Sequence, residues 1–125
     1  MDMKLEVVPL PVKDVERSLE FYVQKIGFHL DHDVQPGNGM RIIQLTPQGS
    51  ACSIVFGTGM GDANEPGSVK NLHLVVNDIS KARDLLFEKE VEIIEIQDMG
   101  GVKYAYFSDP DGNSWALQEI PKRFK

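Results

Sequence analysis

This chain repeats itself, and the repeat limits its fold more than any single motif. Val12-Lys13-Asp14-Val15 follows an apolar run and opens a helical pattern, and Val76-Asn77-Asp78-Ile79 does the same 64 positions later. The first half continues to Pro47-Gln48-Gly49 and the second to Pro110-Asp111-Gly112, each turn leading into a final apolar stretch. One such unit cannot cover its own apolar face, so repeated units stack and bury a shared core. The sequence therefore predicts two similar modules packed together, able to enclose a pocket.

In module one (1–57), Leu5 to Val12 reads as a strand that Pro9 and Pro11 keep near a sheet edge. Asp14 suits an N-cap, and Val15, Leu19, Tyr22 and Ile26 recur at helical spacing until Gly27 supplies the stop. Strands are expected near 28–35, 40–46 and 51–57, the first two joined by Pro36-Gly37-Asn38-Gly39. Residues 58–68 have the composition of a linker. Module two (69–125) repeats the order, with a strand near 69–76, a helix from Asp78 to about Lys89, and strands near 91–97, 102–108 and 114–120. Asp109-Pro110-Asp111-Gly112 forms the turn before the last strand. The expected class is α+β: two tandem βαβββ modules in one domain over residues 1–125.

Composition narrows the partners. A formal charge of −6 and a pI near 5 argue against nucleic acid or an anionic membrane, because phosphate binding needs clustered Lys and Arg. Lys122, Arg123 and Lys125 form only a short basic tail. No stretch approaches the ~20 apolar residues of a membrane span and no leader pattern precedes the first strand, so a cytoplasmic location is expected. The lone Cys52 has no partner for an intrachain disulfide and reads as a buried structural thiol.

The motifs V-K-D-V-E-R-S-L-E-F-Y (12–22), I-G-F (26–28), V-N-D-I (76–79) and F-S-D-P-D-G-N-S-W (107–115) together resemble the vicinal oxygen chelate superfamily, which includes glyoxalase I, extradiol dioxygenases and the bleomycin resistance proteins. The resemblance implies sheets that curl into a cup, in a homodimer. It also implies where metal-dependent members place their ligands: seven residues before each helix-capping Asp, here Val7 and Asn71, and four after the Gly of each final turn, here Ser53 and Ala116. Val7 and Ala116 offer a metal no donor, and Ser53 and Asn71 are weak neutral ones. No metal and no cofactor is expected.

Strand alternation gives the cup its other residues. With Val8, Leu10, Leu72, Leu74, Trp115 and Leu117 turned to the helices, Val7, Pro9, Asn71, His73, Val75, Ala116 and Gln118 face the cup, and Tyr104 and Tyr106 join them. Apolar walls with a few polar groups describe a site for a small organic molecule, aromatic if the tyrosines stack on it. His73 is the candidate catalytic residue; a hydrogen-bonded wall histidine is the plainer reading. In His29-Leu30-Asp31-His32-Asp33 regular alternation puts the two histidines on opposite faces, so a solvated strand is expected rather than a metal cluster. Asp109 and Asp111 read as turn residues. Three readings follow: a metal-free binding protein resembling the bleomycin resistance proteins; an enzyme of the lyase, isomerase or dioxygenase type, with displaced metal ligands or with His73 acting alone; or a structural or partner-binding module with a filled cup.

Overall fold

A computed structural model describes residues 1–60 and 64–121 of the 125-residue chain. Part of the expected linker and the basic tail Lys122, Arg123 and Lys125 lie outside the described residues. Module one consists of β1 (Val7–Pro9), α1 (Val15–Glu20) continuing as a π-helical segment (Phe21–Ile26), β2 (His29–Gly37), β3 (Met40–Thr46) and β4 (Ser53–Thr58). Module two consists of β5 (Leu72–Val75), α2 (Ile79–Glu88), β6 (Gln97–Met99), β7 (Val102–Ser108) and β8 (Ser114–Glu119). The strand orders are β1-β4-β3-β2 and β5-β8-β7-β6, with the first and last strands of each module parallel. These are the two tandem βαβββ units that the repeat predicts.

Local chemistry explains the elements. Asp14 and Asp78 cap their helices by accepting from the backbone N–H three residues on, and Glu119 accepts from Ile79 N–H at the start of α2. Asn38 and Gly39 both take positive φ, the two-residue turn whose twist suits a hairpin, between paired Gly37 and Met40. The first helix departs from a regular α-helix: Gly27 N–H bonds to Tyr22 O, five residues back, and adjacent Phe21 and Tyr22 both turn inward. The strand expected near 91–97 shrinks to one bridge, Ile93 to Phe107, and regular pairing begins only at Gln97. Arg83 donates to the carbonyls of Ile93 and Ile94, occupying acceptors that a ladder would use.

One core serves both modules. Leu10, Ile43, Leu45, Ile54 and Phe56 of the first sheet and Ala105, Phe107, Trp115 and Leu117 of the second form a single buried cluster with Tyr22, Ile79 and Leu86. Tyr22 lies between the sheets, its ring 6.1 Å from Phe56 on one side and 5.8 Å from Trp115 on the other. Its hydroxyl donates to Asp109 Oδ2 at 2.7 Å and accepts from Trp115 Nε1 at 3.0 Å. Asn113, fully buried, donates to Pro11 O and to Asp109 Oδ2, both at 2.9 Å, so the second module's last turn is fastened to the first module. Asp109 Oδ1 accepts from the N–H groups of Asp111 and Asn113 at 2.9 Å each, the turn role the sequence suggests.

Candidate functional site

Because both sheets spend one face on the shared core, the other faces point away from each other. On the first sheet Val7, Pro9, Gln44, Thr46, Ser53 and Val55 occupy the outer face; on the second, His73, Val75, Tyr104, Tyr106, Ala116 and Gln118 do. These residues alternate as the sequence expects, Asn71 excepted because it lies before β5, yet those assigned to one cup form two separate surfaces within the chain. Among the described residues, Pro9 and Val55 line one hollow of about 600 Å³ with Met60, and Asn71 and Tyr106 line another of about 600 Å³ with Ser114. Neither of these two hollows includes Val7, Ser53, His73 or Tyr104.

The second sheet carries the aromatic surface. Tyr106 sits opposite Ala116, and Tyr104 opposite Gln118. The tyrosine rings lie nearly parallel, 6.0 Å apart, and His73 meets Tyr104 edge-on at 6.0 Å. Gln118 Nε2 donates to the Tyr104 hydroxyl at 3.1 Å. His73 Nδ1 lies 2.7 Å from the carbonyl oxygen of Asn71. That carbonyl can only accept, so in the neutral ring Nδ1 carries the proton and Nε2 keeps its lone pair.

Asn71 is displaced from the place the cap count gives it. Val7 pairs with Ser53, but Ala116 pairs with His73, and Asn71 lies before β5 with φ of +59° and its N–H on Ser114 Oγ. The cause is a shorter connection. Leu10 N–H bonds to Val55 O as Val76 N–H bonds to Gln118 O, yet three residues separate Leu10 from its helix cap and only one separates Val76 from its own. By pairing, the four equivalent positions are Val7, Ser53, His73 and Ala116, a set with one imidazole and no carboxylate. These donors do not fit a divalent ion.

A bulge corrects the reading of β2. His29 pairs with Thr46, Leu30 with Leu45 and His32 with Gln44, which leaves Asp31 as an extra residue and brings both histidines to the outer face. Thr46 Oγ1 donates to Asp31 Oδ2 and lies 2.6 Å from Ser53 Oγ, and His29 Nε2 is 3.7 Å from Asp31 Oδ1. The sequence pointed to Ser53 but not to Asp31, Thr46 or Gln44, since nothing in an exposed strand announces a bulge. Among the described residues no group of three or more His, Cys, Asp or Glu is placed to hold a metal. Asp33 pairs with Arg41, which also reaches Glu16, and the Arg41 guanidinium holds the Asp33 carboxyl below its ordinary range. Cys52 is half-buried rather than enclosed, its Sγ 3.9 Å from Ser53 O.

Comparison with known proteins agrees with this architecture. The crystal structure of TnmS3, an antibiotic binding protein from Streptomyces sp. CB03234, is 32% identical with a TM-score of 0.85, over 96% of this chain and 98% of that one. A glyoxalase/bleomycin resistance protein from the same strain is 33% identical with a TM-score of 0.78, over 91% and 98%. A superfamily member from Sphaerobacter thermophilus DSM 20745 is 30% identical with a TM-score of 0.81, over 94% and 98%. No curated protein matches the chain. The family model for these proteins matches residues 4–117, and the chain belongs to the glyoxalase/bleomycin resistance protein/dioxygenase superfamily.

Proposed function

We propose that this chain binds a small organic, aromatic molecule without a metal, in cups that two copies build together. The outer face of the first sheet in one copy supplies Val7, Pro9 and Ser53, and the outer face of the second sheet in the other supplies His73, Tyr104, Tyr106, Ala116 and Gln118. One observation carries the reading: the two faces lie back to back in a single chain, so they form one site only by meeting another copy. Exposed apolar groups on both faces support it, since Val7 is 45% and Val75 54% exposed. Along the N-terminal edge Met1, Met3, Leu5 and Val7 alternate, all exposed, as a strand awaiting cover would. The similarity to TnmS3, described as an antibiotic binding protein, supports the ligand class.

Sedimentation equilibrium should give twice the 14.0 kDa chain mass. Val7→Trp, which fills the first wall, and Tyr106→Ala, which removes a stacking ring, should each weaken an aromatic ligand found by thermal-shift screening at least several-fold. A 14.0 kDa species at tens of micromolar, or affinity unchanged in both variants, refutes the shared cup. A second reading rests on the tautomer of His73: Nε2 with a free lone pair can take a proton from a bound substrate, making the same cup an active site. Turnover of any bound ligand, abolished by His73→Gln with binding retained, would select that reading.

A further inference from the structure

Two hydrogen-bond chains fix the polarity of the proposed cup. On the first sheet Thr46 gives its single hydroxyl proton to Asp31 Oδ2, because a carboxylate can only accept. Ser53 Oγ lies 2.6 Å from Thr46 Oγ1, and with the threonine proton already committed the Ser53 hydroxyl must be the donor between them. Ser53 therefore turns lone pairs, not its proton, towards whatever reaches it from the outer face. On the second sheet His73 is anchored through Nδ1 to the Asn71 carbonyl, so the neutral ring presents Nε2 as an acceptor. Each wall thus offers an acceptor whose direction is set by a group behind it.

We infer that the cup is built for hydrogen-bond donors, so that its ligand is an aromatic molecule bearing phenolic hydroxyl or N–H groups rather than a carboxylate or phosphate. This rests on the reading of the two faces as walls of one site. Asp31 becomes a positioning residue: it ends the chain that orients Thr46 and Ser53, and the bulge in β2 places it there. Tyr104 accepts from Gln118 and keeps its own proton, so one ligand oxygen, a carbonyl or an ether, is accommodated beside the donors. The formal charge of −6 has the right sign, since an acidic protein disfavours anions.

The probes are 2-naphthol, 2-methoxynaphthalene and 2-naphthoate, which share one bicyclic surface and differ in polarity. Titration calorimetry of the wild-type protein should show naphthol binding at least fivefold tighter than either of the others. Thr46→Val removes the acceptor of the Ser53 proton, and Asp31→Asn supplies an amide able to reverse the chain; each should lower the naphthol-to-ether ratio at least threefold. Equal wild-type affinity for naphthol and its ether overturns the polarity but not the shared cup, which is read separately by loss of both on Val7→Trp. Indifference of both to Val7→Trp overturns the cup and the inference with it. Neutron diffraction from crystals grown in heavy water gives a readout without ligand: deuterium should lie on the Ser53–Thr46 line and on His73 Nδ1. A Ser53 deuteron directed outwards, or one on Nε2 with Nδ1 bare, refutes the inference.

Discussion

Tyr22→Phe should cost this protein a large part of its stability while leaving its packing intact. The tyrosine is fully buried, with ring centroids of Phe28, Trp115 and Phe56 between 5.5 and 6.1 Å away, and phenylalanine fills the same space. Only the hydroxyl is lost, and with it the bonds to Asp109 Oδ2 and from Trp115 Nε1. Asp109 keeps three donors, two backbone N–H groups and the Asn113 amide. Trp115 has no alternative, because its indole is a donor only and it is 3% exposed. A buried donor left unpaired costs about 1–3 kcal/mol and a hydrogen bond to a carboxylate contributes about 1.5–3. The two overlap, so a net loss of about 2–4 kcal/mol is expected, against a total of roughly 5–15 for a domain. Urea unfolding should show a lower midpoint at unchanged slope. A loss under about 0.5 kcal/mol would show that the hydroxyl is no fastening between the modules.

The same residue sets an alkaline limit. Burial, then the neighbouring Asp109 carboxylate, raises the Tyr22 pKa well above the ordinary tyrosine value of 10.0. The folded chain therefore keeps a proton that the unfolded chain releases above pH 10.0, and folding loses about 1.4 kcal/mol per pH unit there. Below that value the term is fully present. Tyr22→Phe abolishes this dependence, so the variant's deficit should narrow as pH rises through that range.

Gly67→Ala should prevent stable folding, because Gly67 has φ of +85° and an added Cβ would stand 2.0 Å from the Asp111 carbonyl oxygen; a midpoint within about 1 kcal/mol of wild type would refute that contact. Gly57→Ala should fail similarly, its Cβ meeting Arg41 O at 1.8 Å across the β3–β4 pair, as circular dichroism would show. Arg41→Ala should cost less than about 1 kcal/mol despite losing both Asp33 and Glu16, since these are surface pairs. The lowered Asp33 pKa makes that small contribution present above the ordinary 3.8 and lost as pH falls below it, so wild type and variant should converge in acid.

The legible parts of this structure are those where burial pins the register. Ile43, Leu45, Ile54, Phe56, Phe107, Trp115 and Leu117 recur at every second position within their strands, and a slip of one residue would expose them all, so the faces of β3, β4, β7 and β8 follow from the sequence. Strand β2 has no such anchor: apart from half-buried Asp31 every residue in it is exposed, so the sequence could not show where an extra residue enters. The polar chain from Asp31 through Thr46 to Ser53 was hidden with it. Phe21 and Tyr22 were ambiguous for another reason, because the Tyr22 to Ile26 spacing fits an α-helix and the observed π segment alike.

The displacement of Asn71 shows which landmarks carry register between repeats. Counting four residues past Gly49 and Gly112 reaches Ser53 and Ala116, and both pair with the first strand of their module, at Val7 and His73, so the spacing from turn glycine to paired residue is the same in each. Counting back from the helix caps fails, because connections between a strand and a helix cross the surface and tolerate changes in length. Module one places Pro11, Val12 and Lys13 there, and module two only Asn77. His73 therefore occupies in module two the position that Val7 occupies in module one. The imidazole next to Tyr104 is where pairing along the parallel strand puts it, two residues from the place that motif spacing indicates.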